Sequence, residues 1–365
     1  MREPTRYLEQ RGDAVLDTGL GDWGHEEVVI RSGSRSGMPV VVAVDSTQRG
    51  PAVGGCRLWH YPDWRAGLED ALALSAAMTD KCAVAGLPNG GGKAVLPLAP
   101  GSVLDGALRR DLLLDLGDVV EDLGGRYHVG EDVGTTSEDM VVVRERTDHV
   151  LGLPQRLGGI GEPAEPTAVG VLSAIRTTCE LVWGSSALSG RSFAVHGLGQ
   201  VGGRLARWLA AAGARVAVGD LDIERRPLAE ALRIAWVSPD DLLELDVDVL
   251  VPASMGGLIT HDVVSRLRCR AVVGPANNQL ASPAVADALA ARRIIWAPDI
   301  VVSAGGVLYG VLREMYHVSH EEALRRVTDI GQTLDGVLRK SAATGRTPWH
   351  IVREIADRAR MEPAH

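Results

Sequence analysis

The sequence predicts an α/β protein with two domains, of which the second is a doubly wound parallel sheet. The chain has 365 residues, enough for two separate hydrophobic cores. Aliphatic residues and glycine dominate, and aromatic residues make up only 4% of the chain, as expected for α/β architecture. From about residue 190 onwards, short apolar segments alternate with helical ones, which predicts parallel strands joined by crossover helices.

Composition and charge exclude several classes of function. The net charge of −9 is not offset by any basic stretch, which argues against a general nucleic-acid binder. The four cysteines lack CxxC spacing, and His60, His128 and His317 lack metal-ligand spacing, so we predict reduced thiols and no metal site. The N-terminus has no signal-peptide core, and no apolar stretch is long enough to span a bilayer. We expect a soluble cytoplasmic protein without a membrane or nucleic-acid partner.

The first domain is predicted over residues 1–150. Apolar runs at residues 28–30 and 40–44 predict two strands around a Gly/Ser-rich turn. Residues 50–57 are expected to form a glycine-rich loop. Leucines and alanines at helical spacing then predict helices over residues 66–78 and, further on, around residues 108–123.

Two lysines bound the segment around which this domain is organised, residues 81–93. Its apolar part predicts a buried strand entering a loop, where consecutive glycines allow close backbone approach or positive φ. Lys93 then starts from a partly buried backbone, where a lysine either pairs with an acid or loses its proton readily. The alternative is a solvated lysine that caps a glycine-rich turn. A Walker-type phosphate loop is excluded, because Leu87 and Ala94 occupy the places of its glycine and its Ser or Thr.

A pair of acids follows the next predicted strand. That strand starts at residue 126 and delivers Glu131 and Asp132 into a turn, after which Ser137 can cap a helix. Lys81 and Asp132 are polar groups on otherwise apolar strands, where an unpaired charge would be costly. A zwitterionic substrate needs a cation for its carboxylate and an acid near its amine. From the residues alone, a structural salt bridge explains Lys81 and Asp132 equally well.

A hinge and a second domain follow. Composition shifts to Gly, Pro, Leu and Glu between residues 152 and 166, which predicts the hinge. The second domain, predicted over residues 151–325, begins with a long amphipathic helix over residues 167–183. Its strands are expected at residues 192–195, 215–218, 247–251, 271–273 and 294–296. Helices close the chain, and those over residues 326–365 are expected to pack back on the first domain.

A dinucleotide-binding fingerprint follows the first of these strands. The order of apolar strand, Gly-x-Gly-x-x-Gly and helix is the context that this fingerprint requires. Gly197 permits the tight turn, Gly199 the approach of a pyrophosphate, and Gly202 close helix–strand packing. The helix start, with Gln200 and Val201, offers backbone N–H groups to the phosphates. We therefore predict a Rossmann-type domain.

Asp220 bears on the choice of cofactor. It follows the second strand, about 20 residues after the fingerprint, where an acid binds the ribose hydroxyls and repels a 2′-phosphate. This predicts NAD rather than NADP, although Arg225 and Arg226 lie just beyond. The alternative role for Asp220 is a helix cap.

Taken together, the motifs resemble the Glu/Leu/Phe/Val amino-acid dehydrogenase family, nearest its leucine, phenylalanine and valine branch. The resemblance covers nearly the whole chain. It is carried by residues 50–55, 81–93, 130–136, 197–202, 252–257, 276–280, 297–299 and 304–306. It implies a homo-oligomer that carries out reversible, NAD-dependent oxidative deamination of an L-amino acid to the 2-oxo acid and ammonia. The reaction would take place in a cleft between the domains that closes to expel water.

The resemblance also implies roles for individual residues. Lys81 would bind the substrate carboxylate. Lys93 would act as general base and acid on the attacking water, and Asp132 would exchange protons with it. Further contacts would come from Gly54 and Gly55 to the substrate backbone, Thr167 to the nicotinamide, Asn277 and Asn278 to its ribose and the substrate, and Ala253 to the cofactor.

Some positions depart from the family pattern. Cys56 stands in place of the usual Thr and Ala253 in place of a common Cys, and both are expected to be tolerated. Ser303 replaces the Asn that normally precedes Ala-Gly-Gly, which bears on cofactor contacts.

The residues that line the side-chain pocket in the family correspond here to Val53, Gly130, Val307 and Gly310. Leucine-type enzymes carry bulkier aliphatic residues at several of these places. Two glycines therefore predict a deeper pocket for an aromatic side chain such as Phe or Trp, with branched-chain Leu or Val as the alternative. An amine-forming enzyme of secondary metabolism is disfavoured because Lys81 is retained. A non-catalytic NAD-binding protein is disfavoured because Lys93 and Asp132 are retained.

Overall fold

The computed structural model describes residues 8–10, 13–15, 24–254 and 256–361, and these fall into two compact units. The first unit lies within the bounds Met1–Glu162, Glu314–Tyr316 and Ala356–His365. The second comprises Pro163–Arg313 and His317–Ile355. The change of unit at Glu162 lies beyond the predicted boundary at residue 150. The helices over residues 326–365 are expected to pack on the first domain. Their residues up to Ile355 belong to the second unit.

A mixed sheet forms the centre of the first unit. Among the described residues its strands are β1 (Leu8–Gln10), β2 (Asp13–Val15), β3 (Glu27–Ser32), β4 (Pro39–Val44), β5 (Ala52–His60), β6 (Gly90–Leu98) and β7 (Tyr127–Glu131). Their spatial order is β1-β2-β3-β4-β6-β5-β7. Strand β5 runs parallel to both β6 and β7, so the carboxyl ends of these three strands lie at the same edge of the sheet.

Helices cover both faces of this sheet. They are α1 (Trp64–Val84), α2 (Gly106–Asp122) and α3 (Ser137–Arg144). Val41 and Val95 pack with Leu68 of α1 on one face, while the opposite face packs against leucines of α2. Lys93 pairs with Ala43 in the β4–β6 ladder, and side chains alternate along a strand, so Lys93 projects on the same face as α1.

Three predictions for the first unit are wrong. Residues 81–84 form the last turn of α1 rather than a strand, and the helix ends at Ala85 before Gly86, whose φ is +68°. Residues 90–92 begin strand β6 rather than forming a loop. Gly91 lets helix and sheet approach closely, since a Cβ there would lie 2.0 Å from the backbone N of Thr79 in α1. Residues 52–57 belong likewise to strand β5 and not to a loop.

The second unit confirms the predicted doubly wound parallel sheet. Its strands are β8 (Ser192–His196), β9 (Arg215–Gly219), β10 (Ala235–Trp236), β11 (Val249–Pro252), β12 (Ala271–Val272) and β13 (Ile295–Trp296). The spatial order β10-β9-β8-β11-β12-β13, with every neighbouring pair parallel, is that of a dinucleotide-binding fold. The order reverses at β8, the strand that leads into the fingerprint.

The remaining helices connect these strands and close the chain. They are α4 (Ala164–Trp183), α5 (Gln200–Ala211), α6 (Arg226–Ala231), α7 (Pro239–Leu243), α8 (His261–Arg266), α9 (Ala284–Ala291), α10 (Asp299–Val302), α11 (Gly305–Gly310), α12 (His320–Thr328), α13 (Ile330–Thr344) and α14 (Pro348–Met361). All four cysteines are free and buried. Within the described ranges, no helix combines the length and apolar character needed to cross a membrane.

Candidate active site

A buried lysine and a carboxylate form the centre of the site in the first unit. Lys93 Nζ lies 2.8 Å from Asp132 Oδ2, and Lys93 is only 5% exposed. Strand β5 lies between their two strands, and it passes this point with glycines. A Cβ on Gly55 would lie 2.7 Å from the Cβ of Asp132, so glycine is required for the aspartate to take its place. The lysine therefore pairs with an acid, and the alternative of a solvated turn lysine is wrong.

The turn that carries Asp132 is fixed by Thr135. Its hydroxyl accepts a hydrogen bond from the Asp132 backbone N–H at 2.9 Å and donates one to the carbonyl of Cys56 on β5 at 2.8 Å. Thr136, and not Ser137 as predicted, caps helix α3 through a reciprocal capping box with Asp139. These contacts hold the first residues after β7 against the middle of β5.

A second cation reaches the same carboxylate. Arg57 on β5 donates from Nε to Asp132 Oδ2 at 3.1 Å, and its Nη1 contacts Asp70 Oδ2 of α1 at 3.0 Å. Burial by itself would raise the pKa of Asp132, but the charges of Lys93 and then Arg57 outweigh it and lower that pKa from its usual value. Sequence reasoning missed Arg57. No local signal marks it, because residues 50–57 are expected to form a loop, where an arginine is ordinarily solvated, and its partners lie elsewhere in the chain.

The pKa of Glu131, the last residue of β7, is shifted in the opposite direction from that of Asp132. Burial, and then the carboxylate of Glu162, raise its pKa to about 7. The two adjacent acids of the motif therefore differ in how readily they ionise, because only Asp132 has cations beside it.

The other predicted substrate residues of the first unit lie on β5, on β7 and in the last turn of α1. Gly54 lies on β5 so close to β6 that a Cβ would come within 1.8 Å of the carbonyl oxygen of Gly92. Val53 is fully buried, and Lys81 is half-buried in the last turn of α1. Gly130 on β7 has more room, since the nearest atoms to an added Cβ would be Cβ and the carbonyl oxygen of Leu151, each at 3.7 Å.

The second unit holds the fingerprint glycines in the predicted strand–turn–helix. Gly197 has a φ of +106°, and a Cβ there would lie 2.8 Å from the backbone of Ala253. A Cβ on Gly202 would lie 2.1 Å from the carbonyl oxygen of Gly197. Gly199, in contrast, has no described atom within 4 Å of an added Cβ, so its backbone faces open space.

This open space fits the phosphates of a dinucleotide. Gly199 is the N-cap of α5, and no described side chain caps the helix, which leaves the backbone N–H groups of Gln200 and Val201 in its first turn for an anion. The glycines at the close contacts and the opening at Gly199 correspond to the separate roles predicted for them.

Asp220 lies directly beside the glycine turn. Its Oδ2 accepts a hydrogen bond from the Leu198 backbone N–H at 2.6 Å. The residue that caps the following short helix is Asp222, so the helix-cap alternative for Asp220 is wrong. Arg225 and Arg226 pair with Asp222 and Glu230 in surface ion pairs at 3.3 and 3.1 Å.

Two exposed apolar side chains follow Asp220. Leu221 is 91% exposed and Ile223 is 57% exposed. An acid beside the glycine turn, followed by apolar groups open to solvent, suits a ribose and an adjoining flat base. The residues present therefore fit a dinucleotide.

The remaining predicted cofactor and substrate residues lie at the ends of helices and strands of the second unit. Thr167 of α4 faces α11, where a Cβ on Gly306 would lie 2.7 Å from Thr167 Oγ1. The Ser303 hydroxyl donates to Asn277 Oδ1 at 3.1 Å, so the shorter side chain still contacts the asparagine. Asn278 has a φ of +51°, an uncommon conformation for a residue other than glycine. Val307 and Gly310 lie on α11.

Comparison with known proteins gives consistent results over both units. Residues 26–149 match the family model described as Glu/Leu/Phe/Val dehydrogenase, dimerisation domain, and residues 221–331 match Glutamate/Leucine/Phenylalanine/Valine dehydrogenase. Phenylalanine dehydrogenase of Lysinibacillus sphaericus is 37% identical over 324 residues, covering 87% of this chain and 84% of that protein. Leucine dehydrogenase of Bacillus subtilis is 35% identical over 340 residues, covering 92% and 91%.

A solved structure is also similar over most of its length. L-tryptophan dehydrogenase from Nostoc punctiforme superposes with a TM-score of 0.78 at 32% identity, over 93% of this chain and 97% of that one. The similar proteins thus include enzymes named for an aromatic and for a branched-chain amino acid at nearly equal identity.

Proposed function

The chain belongs to the Glu/Leu/Phe/Val dehydrogenase family and is an oxidoreductase that acts on amino acids, and we propose that it converts an L-amino acid and NAD to the 2-oxo acid and ammonia. The observation that carries this proposal is the contact of 2.8 Å between the buried Lys93 of β6 and Asp132, which directly follows β7, because such a pair can transfer protons. We propose that the reaction is reversible, because Lys93 can transfer a proton in either direction.

The substrate carboxylate and amine find complementary charges in the first unit. Lys81 supplies an ammonium group for the carboxylate, as a charge-assisted pair. Asp132, kept ionised by its cations, accepts a hydrogen bond from the substrate amine. Gly54 and Gly55 would meet the substrate backbone through their own main-chain atoms, since Gly92 and Asp132 fill the places that their side chains would take.

NAD, when bound, would accept the hydride that leaves the substrate Cα once the substrate ammonium has lost a proton to water. The resulting imino acid is hydrolysed by water, and Lys93 removes a proton from that water as it attacks Cα. Lys93 returns that proton to the nitrogen of the carbinolamine, ammonia leaves as the C–N bond breaks, and the hydroxyl proton passes to Lys93 as the carbonyl forms. In this account Lys93 acts as a base and as an acid in turn, while Asp132 stays ionised beside it.

We propose NAD, rather than NADP, on the basis of Asp220. Its carboxylate lies at the glycine turn, where it would bind ribose hydroxyls and repel a 2′-phosphate. Gln200, Val201 and the fingerprint glycines would hold the pyrophosphate, and Ala253, Thr167 and Asn277 would contact the remainder of the cofactor.

For the substrate, we propose an aromatic side chain such as that of Phe or Trp. Gly130 supports this, since the described atoms nearest to its missing Cβ lie 3.7 Å away and leave space at the end of β7. Val53, Val307, Gly310 and Asn278 would complete the contacts with the substrate. Branched-chain substrates remain the second candidate, because the relatives named for leucine are almost as similar as those named for phenylalanine.

We also propose that the protein is a homo-oligomer assembled through its first unit, which matches a domain described as a dimerisation domain. Light scattering on the purified protein measures its mass directly. A mass of 38.7 kDa at working concentrations, which is that of one chain, would contradict this part of the proposal.

The function is tested by following NADH absorbance at alkaline pH with a panel of L-amino acids, D-phenylalanine and phenethylamine. We expect turnover with L-amino acids, the highest kcat/KM with L-Phe or L-Trp, and no activity with the D-isomer or the amine. Higher kcat/KM with L-Leu or L-Val would select the branched-chain candidate. Binding of NAD without turnover of any amino acid would overturn the proposed function.

A further inference from the structure

A chain of side chains extends from Asp132 away from Lys93. Asp132 Oδ2 is shared by Lys93 Nζ at 2.8 Å and Arg57 Nε at 3.1 Å. The other end of the guanidinium contacts Asp70 Oδ2 at 3.0 Å, and the Tyr61 hydroxyl donates to the same oxygen of Asp70 at 2.5 Å. Arg57 is therefore held at both ends.

The position of Arg57 follows from the strand register. It pairs with Val95 on β6 and lies two residues after Gly55, so it projects on the face of the sheet that α1 covers. Asp70 of α1 meets it there. The guanidinium side chain is 24% exposed and that of Asp132 is 25% exposed, so water weakens their attraction less than at an open surface.

The two cations on Asp132 differ in one chemical respect. In the proposed reaction Lys93 alternates between its charged and neutral forms, whereas a guanidinium remains charged throughout. With Lys93 as its only partner, Asp132 would lose its counter-charge each time Lys93 became neutral, and would then tend to take up the proton itself. A permanent cation on the same oxygen prevents this.

We propose that Arg57 is a positioning residue for the reaction: clamped by Asp70, it fixes the Asp132 carboxylate against Lys93 and keeps it ionised while the lysine changes charge. This inference rests on the proposed function, since it assigns Arg57 a role toward the same proton-transfer pair. Arg57 acts through Asp132, and Asp70 with Tyr61 sets the orientation of its planar guanidinium.

The inference is tested with Arg57→Gln, Arg57→Lys and Asp70→Asn, and with Arg35→Gln as matched control. Arg35 contacts the buried Asp115 at 3.0 Å in the same unit, so its loss also removes a guanidinium from a carboxylate, but away from the site. For each variant, kcat, KM and their pH profiles are measured with the best amino acid, together with thermal unfolding.

For Arg57→Gln we expect kcat to fall about 10- to 100-fold, because the carboxylate is displaced and more easily protonated, and KM to change less. The acid limb of its pH profile should move to higher pH. Arg57→Lys should return the limb toward its original position, because the charge is kept, without restoring full kcat. Asp70→Asn should lower kcat without moving the limb to higher pH.

Arg35→Gln should lower stability and leave the pH profile in place. A folded Arg57→Gln with wild-type kcat and an unmoved limb would overturn the inference. If Arg57→Gln does not fold, Arg57→Lys decides, since wild-type kcat in that variant would equally overturn it. Failure of the proposed function has a different signature, namely wild-type protein without turnover of any amino acid.

Discussion

Lys93 and Asp132 meet at 2.8 Å although Lys93 lies on β6 and Asp132 follows β7, two strands that are not neighbours in the sheet. The contact depends on the intervening strand, whose Gly55 leaves space that any side chain would fill. Because Arg57 contacts the same carboxylate, Asp132 keeps a charged partner when Lys93 is removed. The catalytic role of the lysine can therefore be separated from its contribution to folding.

We predict that Lys93→Met lowers kcat by about 10²- to 10⁴-fold, the usual contribution of a general acid–base, because no other group described at the site replaces its proton transfer. The variant should remain folded. Lys340→Met is the control, since Lys340 pairs with Glu354 at 2.6 Å in the second unit and should leave kcat unchanged. Steady-state kinetics and circular dichroism check both, and turnover of Lys93→Met within tenfold of wild type would exclude its role.

The fingerprint glycines should separate cofactor binding from folding. Gly199→Ala places its methyl group in open space, so we predict normal thermal stability and NAD affinity weakened by more than about tenfold, since the methyl group lies where a pyrophosphate would approach. Gly202→Ala would bring a methyl group to 2.1 Å from the carbonyl of Gly197, so it should destabilise the unit even without cofactor.

Gly336→Ala serves as control for both glycine variants. It lies in α13 with no described atom within 4 Å of an added Cβ, and should raise stability by about 0.5–1 kcal/mol through helix propensity. Calorimetric titration with NAD and thermal unfolding provide the readouts. Equal NAD affinity in wild type and Gly199→Ala would contradict the assignment of the phosphate site.

The second unit was predictable from sequence because its signals are local. The apolar segment before Gly197, the helix after it and the acid at Asp220 lie within a short stretch, and each follows rules of turn and helix geometry. The alternation of strands and helices then determines a parallel sheet. The actual order of the strands confirms that prediction.

In the first unit the decisive contacts are distant in the chain. The glycines at residues 90–92 predict a loop because glycine is rare in strands, yet they are in β6. A side chain there would collide with Ser46, with α1 or with Tyr127, respectively. Arg57 escaped notice for a similar reason. Its partners, Asp70 and Asp132, come from a helix and a turn whose meeting point is set by the register of three strands.

Gly130 gives a direct test of substrate choice. Gly130→Ala should fit without moving the backbone, since its new methyl group would meet Leu151 at 3.7 Å, an ordinary contact. By filling space at the end of β7 it should lower kcat/KM for L-Phe and L-Trp relative to L-Leu and L-Val. The expected change in this ratio is about 10- to 100-fold, the usual effect of a carbon group in an apolar pocket.

The control for this change is Gly106→Ala, at the start of α2, where an added Cβ meets no described atom within 4 Å and lies away from the proposed pocket. Competition assays with pairs of amino acids measure the ratios directly. An unchanged ratio in Gly130→Ala would remove this residue from the pocket.

Arg360 near the end of α14 should contribute strongly to the stability of the first unit. Its guanidinium contacts Asp80 Oδ1 at 2.9 Å and Asp45 Oδ2 at 2.8 Å, and these aspartates are only 4% and 5% exposed. Arg360→Met leaves two buried carboxylates without this cation, so we predict a loss of about 3 kcal/mol in the free energy of unfolding.

Arg339→Met provides the comparison for the effect of a surface pair. Arg339 contacts Asp335 at 2.7 Å on the exposed side of α13, and its loss should change stability by less than about 0.5 kcal/mol. Urea denaturation of the three proteins measures the difference. Equal stability of the two variants would show that the contacts of Arg360 are energetically no different from a surface pair.

Glu131 should make stability fall as pH rises. Burial, then Glu162, with smaller contributions from Asp139 and Glu314, raise its pKa from 4.5 to about 7, against a hydrogen bond from the Ser137 backbone that acts in the opposite direction. Between pH 4.5 and 7 the folded protein therefore holds this proton more tightly than the unfolded chain does, and the stability it contributes is lost across that window. Glu131→Gln, which cannot ionise, should thus be more stable than wild type at pH 8 and nearly equal to it at pH 4.5.

Glu145→Gln is the matched control, because Arg110 lowers the pKa of Glu145 and its stabilising contribution changes only below pH 4.5. Urea denaturation at the two pH values gives the four differences, and the prediction fails if Glu131→Gln shows the same pH dependence as wild type.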